Sequence, residues 1–345
     1  MKRSLVLTGL LLALGAGIAG GGGPLLDPRE GRHLKNLRQL TFGGSNAEAY
    51  FSWDGKALIF QSTRDGYACD QIFIMSVDGG DVRLVSTGRG RTTCSFFLPG
   101  NQRIIYASTH ERDPACPPRP DRSEGYVWAL YDYDIYMANA DGSSLRRLTE
   151  NPGYDAEGAL SPDGKTVVFT SFRAGDLDIY TMDTEGRTLK RLTFEKGFDG
   201  GAFFSWDGTK IVYRAYHPRT PEGMAEYERL LSKGLLRPFR AEIFVMDADG
   251  KSKRQLTNNG AANWAPAFHP NGRQIIFSSN LHAPGTRQFD LYLVNIDGTG
   301  LERVTFGGFN SFPFFSPDGR RLVFSSDRLA GGPREFNIFI ADWIP

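Results

Sequence analysis

The sequence has almost no net charge, because 40 lysine and arginine residues are balanced by 39 aspartate and glutamate residues. No run of basic residues extends beyond a few positions. Nucleic-acid binding depends on a positive face that displaces counterions from phosphate groups. We therefore expect no nucleic-acid partner.

Long hydrophobic runs are absent except at the N-terminus. There, residues 5–19 are apolar and follow Lys2 and Arg3, and this run is too short to span a bilayer comfortably. The pattern predicts a signal peptide at residues 1–19 and a flexible leader at residues 20–33; an uncleaved anchor is the alternative. We expect no membrane span after cleavage and a periplasmic or secreted protein.

Cysteine is scarce: Cys69, Cys94 and Cys116 are the three present. In an exported protein, this number predicts one disulfide and one free thiol. Cys69 can pair with Cys94 or with Cys116, and the sequence does not decide between them. Three cysteines are too few for a structural zinc site.

Catalytic signatures are also missing from the sequence. There is no Gly-x-Ser-x-Gly elbow, no His-Glu-x-x-His metal motif and no glycine-rich phosphate loop. The five histidines are scattered along the chain. We therefore expect a protein that is not an enzyme and that needs no cofactor.

The sequence is rich in glycine and phenylalanine, with 41 and 25 residues, and it contains an internal repeat. Each unit has an Arg-x-Leu-Thr strand (as at residues 38–41), an aromatic strand, an apolar strand, and a strand such as residues 178–182. Tight turns of the type Asp54-Gly55 separate them, and such turns favour hairpins because glycine tolerates positive φ. Each unit is therefore predicted to be a four-stranded antiparallel meander.

The unit recurs six times at a period of about 44 to 47 residues, which is typical of a propeller blade. Two longer units carry insertions, at residues 110–131 and 216–240. The sequence thus predicts an all-β, six-bladed β-propeller at residues 34–345. The first Arg-x-Leu-Thr strand has no blade before it, and the last blade lacks a fourth strand, so we expect the N-terminal strand to close the last blade.

One short helix is predicted in the blade-four insertion. Thr220 is a suitable N-cap, Pro221 suits the first turn, and Gly234 ends the helix. The apolar residues on one side of this helix are expected to pack onto the propeller.

The Arg-x-Leu-Thr motif, the Ser-Pro-Asp-Gly-Lys motif at residues 161–165 and the Asp-Ile-Tyr-x-Met motif at residues 178–182 resemble those of TolB-type propeller repeats. The resemblance covers about residues 34–345. It implies a periplasmic or secreted scaffold that binds proteins, although TolB also carries an N-terminal α/β domain. Similar repeats form the non-catalytic propellers of some serine peptidases.

In a propeller, the loops that lead into the innermost strands and those between strands two and three share one face. Because the insertions lie there, we expect ligands to bind this long-loop face. The ligand-face candidates are Arg64, Asp65, Asp155, Glu157, Arg173, Asp199, Arg214, Trp264, Asn280, His282, Asp327 and Arg328. A structural role in ion pairs and strand caps is the alternative, which the recurrence of the motif favours.

These observations predict a monomeric, non-catalytic scaffold that binds a protein, peptide or cell-envelope ligand. One alternative is a polysaccharide lyase with a metal held by His110, His217 and His282 and with Arg64, Arg173 and Arg328 binding acidic sugars. Another is calcium held by Asp155 and Glu157 for structure or glycan binding.

Overall fold

The structure is a computed structural model that describes residues 25–345, apart from the side chain at position 122. Within that range, six antiparallel sheets of four strands each follow one another along the chain. Each innermost strand contacts the innermost strands of the two neighbouring sheets, so the sheets form a ring. The predicted six-bladed propeller is confirmed, whereas the predicted signal peptide at residues 1–19 lies outside the described residues.

The two inner strands of every blade are six or seven residues long. The innermost strands are β2 (Asn46–Phe51), β6 (Thr92–Phe97), β11 (Asp155–Leu160), β15 (Phe198–Phe204), β20 (Asn263–Phe268) and β24 (Asn310–Phe315). The second strands are β3 (Ala57–Ser62), β7 (Arg103–Ser108), β12 (Thr166–Ser171), β16 (Lys210–Tyr216), β21 (Gln274–Ser279) and β25 (Arg321–Ser326).

The third strand of each blade is longer than the outermost strand. Five of the six outermost strands are only two residues long. The third strands are β4 (Gln71–Ser76), β9 (Asp134–Asn139), β13 (Asp178–Asp183), β18 (Glu242–Asp247), β22 (Asp290–Asn295) and β26 (Asn337–Trp343). The outermost strands are β5 (Arg83–Leu84), β10 (Arg146–Arg147), β14 (Lys190–Arg191), β19 (Arg254–Gln255), β23 (Glu302–Arg303) and β1 (Leu34–Gln39). Such short edges leave little backbone open to pairing with another chain.

The ring is closed by the two ends of the chain. Strand β1 pairs antiparallel with β26, with Leu34 opposite Trp343 and Gln39 opposite Phe339. This pairing completes the fourth strand of blade six and confirms the predicted closure. Because it joins residues from opposite ends of the chain, it ties blade one to blade six through the sheet.

The segment just before β1 is ordered, which departs from the flexible leader predicted for residues 20–33. Residues Pro28–Arg32 form a 3-10 helix capped by Asp27. Glu30 is buried and forms an ion pair with Arg328 at 3.1 Å. The described part of the leader is therefore held on blade six by a charge pair that composition alone does not reveal.

Two insertions extend the long-loop face. The one between β7 and β9 contains a 3-10 helix (Arg122–Glu124) and strand β8 (Trp128–Ala129), and the one between β16 and β18 contains helix α1 (Pro221–Leu231) and strand β17 (Leu235–Leu236). Strands β8 and β17 pair with each other, so the two insertions form one small sheet.

Helix α1 begins as the sequence predicts. Thr220 Oγ1 accepts a hydrogen bond from the backbone N–H of Gly223 at 3.1 Å. Tyr227, Leu230 and Leu231 are buried, and the Tyr227 hydroxyl donates to Asp176 at 2.5 Å. The apolar side of the helix thus packs on the propeller. Between residues 25 and 345, no helix is long and apolar enough to cross a membrane.

Candidate functional site

The central channel is closed at its middle by four aromatic rings, which we call the plug. Its members come from the innermost strands of blades one, two, four and six: Tyr50, Phe96, Phe203 and Phe314. Their ring centroids lie 5.1 to 6.0 Å apart, and every ring contacts the other three. Aromatic clusters of this kind bury a large apolar area. The channel is therefore not a continuous pore.

Every innermost strand carries a β-bulge two residues before the plug level. The bulged residues have φ between 47° and 61°, and they are Glu48, Cys94, Glu157, Gly201, Ala265 and Phe312. A bulge places an extra residue in the strand and redirects its side chain. All six bulged residues line one cavity of about 500 Å³ on the long-loop side of the plug. Below, this space is called the cavity.

Glu157 and Arg214 form a buried ion pair on the cavity wall. The Arg214 guanidinium donates to Glu157 Oε1, while Oε2 accepts from Thr170 Oγ1 at 2.6 Å and from the Gly201 N–H at 2.7 Å. Arg214 is 6% exposed and lies 5.0 Å from the ring centroid of Trp128. Glu157 thus accepts from three donors, whereas Arg214 Nε is buried and has no hydrogen-bond partner among the described residues; each charge of the pair is compensated by the other.

Glu48 has a different environment, although it occupies the corresponding position in blade one. Burial raises the pKa of its carboxyl to about 7, and this effect is opposed by a hydrogen bond from the Cys94 thiol. Within residues 25–345, no lysine, arginine or histidine forms a salt bridge with Glu48. Burial likewise holds the pKa of the Cys94 thiol well above its usual range, so the thiol stays protonated and is a poor nucleophile.

The cavity is roofed by the two insertions, and we call residues 126–131 together with Leu235–Leu236 the lid. Leu130 N–H donates to the Gly234 carbonyl at 2.8 Å, next to the β8–β17 pairing. Trp128 packs against Trp264 with centroids 5.3 Å apart, and the Trp264 indole donates to the Pro238 carbonyl at 2.7 Å. The lid thus joins blades two, four and five.

A disulfide attaches the blade-two insertion to blade one. It joins Cys69 and Cys116, which leaves Cys94 as the free cysteine. The structure thereby decides the pairing that the sequence left open. Asp70, next to Cys69, pairs with Arg91 at 2.7 Å on the cavity wall, so the attachment lies close to the cavity.

A groove of about 770 Å³ leads into the cavity between the blade-two insertion and the loops of blades one and six. The groove and the cavity share the residues Ser45, Thr63, Arg119, Pro120, Tyr126, Val127, Arg287 and Phe336. Arg119, Arg287 and Arg334 are exposed around it. Of these, Arg287 lies 5.3 Å from the Tyr126 ring centroid. The groove gives solvent a route to the lidded space, and below it is called the mouth.

Three of the predicted ligand-face residues line the cavity: Glu157, Arg214 and Trp264. The other candidates lie at strand ends around it. Asp155 pairs with Arg173 at 2.8 Å, and Arg328 pairs with Glu30. Burial raises the pKa of Asp155 to about 6 despite this partner.

The remaining candidates also have local partners. Asp199 contacts His217 at 3.2 Å, Asp327 accepts from the Phe309 N–H at 2.7 Å, and Asn280 accepts from the Ala262 N–H at 2.9 Å. The Arg64 guanidinium lies about 6 Å from the rings of Phe60 and Phe73, and Asp65 is exposed.

The three histidines of the lyase hypothesis lie in different blades. His110 contacts Ser108 Oγ at 2.8 Å, His217 contacts Asp199, and His282 contacts Asp290 at 3.3 Å. In the described part of the chain, no group of three or more histidine, cysteine, aspartate or glutamate side chains could hold a metal ion. The carboxylates considered for calcium, Asp155 and Glu157, each face an arginine.

Sequence reasoning missed Glu48 as a site residue and considered Cys94 only for a disulfide. A usable signal was present, because both residues stand two positions before an aromatic residue of the plug. When the six repeats are aligned so that the plug residues Tyr50, Phe96, Phe203 and Phe314 share one column, the six bulge positions fall together in a second column, two residues earlier. That column is the one that lines the cavity.

Together, the ring of blades, the plug and the lid define a six-bladed propeller with a partly covered cavity on its long-loop face. The family model of the TolB beta propeller domain matches residues 129–229 and 236–342, more than half of the sequence. The chain therefore belongs to this family.

Curated relatives match over short parts of their own length. The chain is 31% identical to the "Uncharacterized peptidase YuxL" of Bacillus subtilis over 234 residues, which are 67% of this chain and 28% of that protein. It is 48% identical to the "Tol-Pal system protein TolB" of Bordetella pertussis over 42 residues, which are 12% of this chain and 10% of TolB. The chain thus spans under a third of these relatives.

Solved structures show the same fold at low sequence identity. The putative TolB from Agrobacterium tumefaciens superposes with a TM-score of 0.61 at 19% identity, covering 90% of this chain and 97% of that one. An oligogalacturonate lyase from Vibrio parahaemolyticus gives a TM-score of 0.53 at 13% identity, with coverage of 89% and 93%. At these identities the likeness concerns the fold alone.

Proposed function

We propose that this protein is an exported, monomeric propeller that binds a protein or peptide partner of the cell envelope without catalysing a reaction. The partner presents a segment to the long-loop face, and this segment enters the cavity through the mouth. The observation that carries the proposal is the partly covered cavity of about 500 Å³ that is continuous with an open groove. Concave sites with apolar walls and a few polar groups are where ligands bind.

The chemistry of the cavity favours binding over catalysis. The Cys94 thiol is kept protonated by burial, and the Glu157 carboxylate is held by Arg214, Thr170 and the Gly201 N–H. No histidine is among the residues that line the cavity. The histidines that a metal-dependent lyase would need lie in separate blades, each with a local partner. We therefore do not propose a lyase reaction.

Two features support export. The apolar N-terminal segment has the composition of a signal peptide, and the Cys69–Cys116 disulfide is typical of an oxidising compartment. The similarity to TolB, a protein of a Tol-Pal system, supports a partner in the cell envelope.

The proposal is tested by filling the cavity. Ala47 lines the cavity next to the bulge of blade one, and Ala47→Trp is expected to occlude the space that a partner segment would take. Ala330→Trp is the matched control, because Ala330 is exposed on the same face outside the cavity. Both variants and the wild type would be used to capture partners from envelope extract, with identification by mass spectrometry.

We expect the wild type and Ala330→Trp to capture the same partner and Ala47→Trp to lose it, while all three proteins unfold at similar temperatures. Equal capture by Ala47→Trp would overturn the placement of the site in the cavity. Capture lost by Ala330→Trp alone would move the site to the outer rim.

A further inference from the structure

We propose that the inner end of the cavity binds a primary alkylammonium group, the chemistry of a lysine side chain, with Glu48 as its counter-ion. The inference rests on the proposed function, because it assigns a ligand class to the same cavity. It is carried by the charges that line the cavity and by the aromatic rings around them.

At the inner end of the cavity, the Glu48 carboxylate forms no salt bridge with any described lysine, arginine or histidine, whereas Arg119 and Arg287 line the cavity where it meets the mouth. Arg214 is committed to Glu157, and Arg91 is committed to Asp70 at 2.7 Å. The bulge positions of blades five and six, Ala265 and Phe312, carry no charge.

The Cys94 thiol acts on Glu48 as a hydrogen-bond donor, and its sulfur also lies 3.2 Å from Thr93 Oγ1. The charged groups that act on Glu48 are Asp70 of the same blade and Glu157 of blade three, which raise its pKa, and Arg214 of blade four, which lowers it. A buried carboxylate without a paired cation is unfavourable, and a group with such a raised pKa on a cavity wall is a candidate for ligand binding.

The aromatic lining of the cavity suits an organic cation, as the contacts of the Arg214 guanidinium with the rings of Trp128 and Phe198 at 5.0 and 5.4 Å illustrate. Aromatic rings line the cavity on several sides, and they are Tyr50, Trp128, Tyr133, Tyr154, Phe198 and Trp264. Aromatic faces attract ammonium groups, and they also pack against the methylene stem of a lysine-like chain. A carboxylate-bearing ligand would instead meet Glu48 as a like charge.

The opposite interpretation makes a clear counter-prediction. If Glu48 served as a neutral acid that donates a hydrogen bond to a carbonyl group, binding would weaken as the pH rises through 7. If Glu48 is the counter-ion of an ammonium group, binding strengthens over the same range, because only the carboxylate attracts the cation. The sign of the pH dependence separates the two.

The test uses n-butylammonium chloride and the full-length protein in isothermal titration calorimetry at pH 6 and pH 8, at constant ionic strength. The amine stays protonated at both values, whereas Glu48 with a pKa of about 7 passes from about one-tenth to about nine-tenths ionised. We expect the dissociation constant to be about tenfold lower at pH 8 and, at pH 6, a binding heat that changes with the ionisation enthalpy of the buffer.

The neutral isostere, 1-butanol, should show no such pH dependence. Absence of butylammonium binding, binding that is independent of pH, or tighter binding at pH 6 would overturn the inference. None of these outcomes depends on a variant that might misfold.

A matched pair of variants tests whether Glu48 causes the gain in butylammonium affinity at pH 8. Glu48→Gln should abolish the gain in affinity at pH 8, whereas Asp65→Asn, the same acid-to-amide change at an exposed site of the same blade, should retain it. Equal retention in both variants would exclude Glu48 as the counter-ion. If Ala47→Trp loses the partner but butylammonium does not bind the wild type, the ligand class is wrong while the cavity remains the site.

Discussion

The six innermost strands build two levels of the central channel, only two residues apart, and the two levels have opposite chemistry. At the lower level, four of the six blades contribute an aromatic ring, and these rings pack with centroids 5.1 to 6.0 Å apart. At the upper level, the six bulge positions hold five different residue types around an open space of about 500 Å³. The same backbone geometry therefore supports a filled core at one level and a lined cavity at the other.

Comparing the plug level with the bulge level separates structural from functional requirements in this repeat protein. Where blades share a requirement, as in closing the channel, they keep similar side chains. Where the blades differ, as with Glu48, Cys94 and Ala265, the shared requirement is absent. We infer that the upper level is shaped by a ligand and the lower level by stability.

The largest expected effect contrasts two phenylalanines of one strand. Phe314→Ala removes a ring of the plug and should lower the free energy of unfolding by about 3–5 kcal/mol. Phe312→Ala, at the partly buried bulge position, should cost less than half as much. Denaturant unfolding of both variants measures the difference, and equal losses would mean that the two levels are not distinct.

An intermediate effect is expected from the disulfide that attaches the lid region. Replacing Cys69 and Cys116 together by serine should lower stability by about 2–4 kcal/mol. It should also speed alkylation of Cys94 by iodoacetamide, because the cavity then opens more often. An unchanged alkylation rate would show that the disulfide does not restrict access to the upper level.

The smallest effect has the opposite sign and depends on pH. The pKa of Glu48 is about 7 in the folded protein and near 4.5 in the unfolded chain. Between these values the folded protein holds a proton that the unfolded chain has lost, so stability falls as the pH rises.

Glu48→Gln should therefore stabilise the protein by up to about 3 kcal/mol at pH 8 and leave stability unchanged at pH 4. Thermal unfolding at the two pH values provides the measurement. Destabilisation at pH 8 would show that Glu48 has a favourable partner in the free protein.

Much of the fold could be predicted from the sequence, because its determinants are local and recur. Asp-Gly turns mark the hairpins, and in the structure Gly186 has φ of 77° and lies so close to Leu148 that a Cβ would be 2.4 Å from that carbonyl oxygen. The closure by β1 followed from counting strands, and helix α1 followed from Thr220 and Pro221.

The site was harder to predict, because it depends on which side chains meet across the ring. Asp155 and Arg173 looked like ligand-binding charges, but the register of β11 and β12 places them side by side as an ion pair. The local signal at Glu48 is its position two residues before Tyr50, and this position becomes meaningful only when the repeats are aligned. The environment of the Glu48 carboxyl group is formed by Cys94, Glu157 and Arg214, which belong to three other blades.

The most direct test of the two-level account is the reactivity of Cys94, the free cysteine, which lies in the cavity. Its alkylation rate would be measured with and without the partner captured by the wild-type protein. The account predicts that the partner slows alkylation strongly, because the partner occupies the upper level of the channel. An alkylation rate that the bound partner leaves unchanged would contradict it.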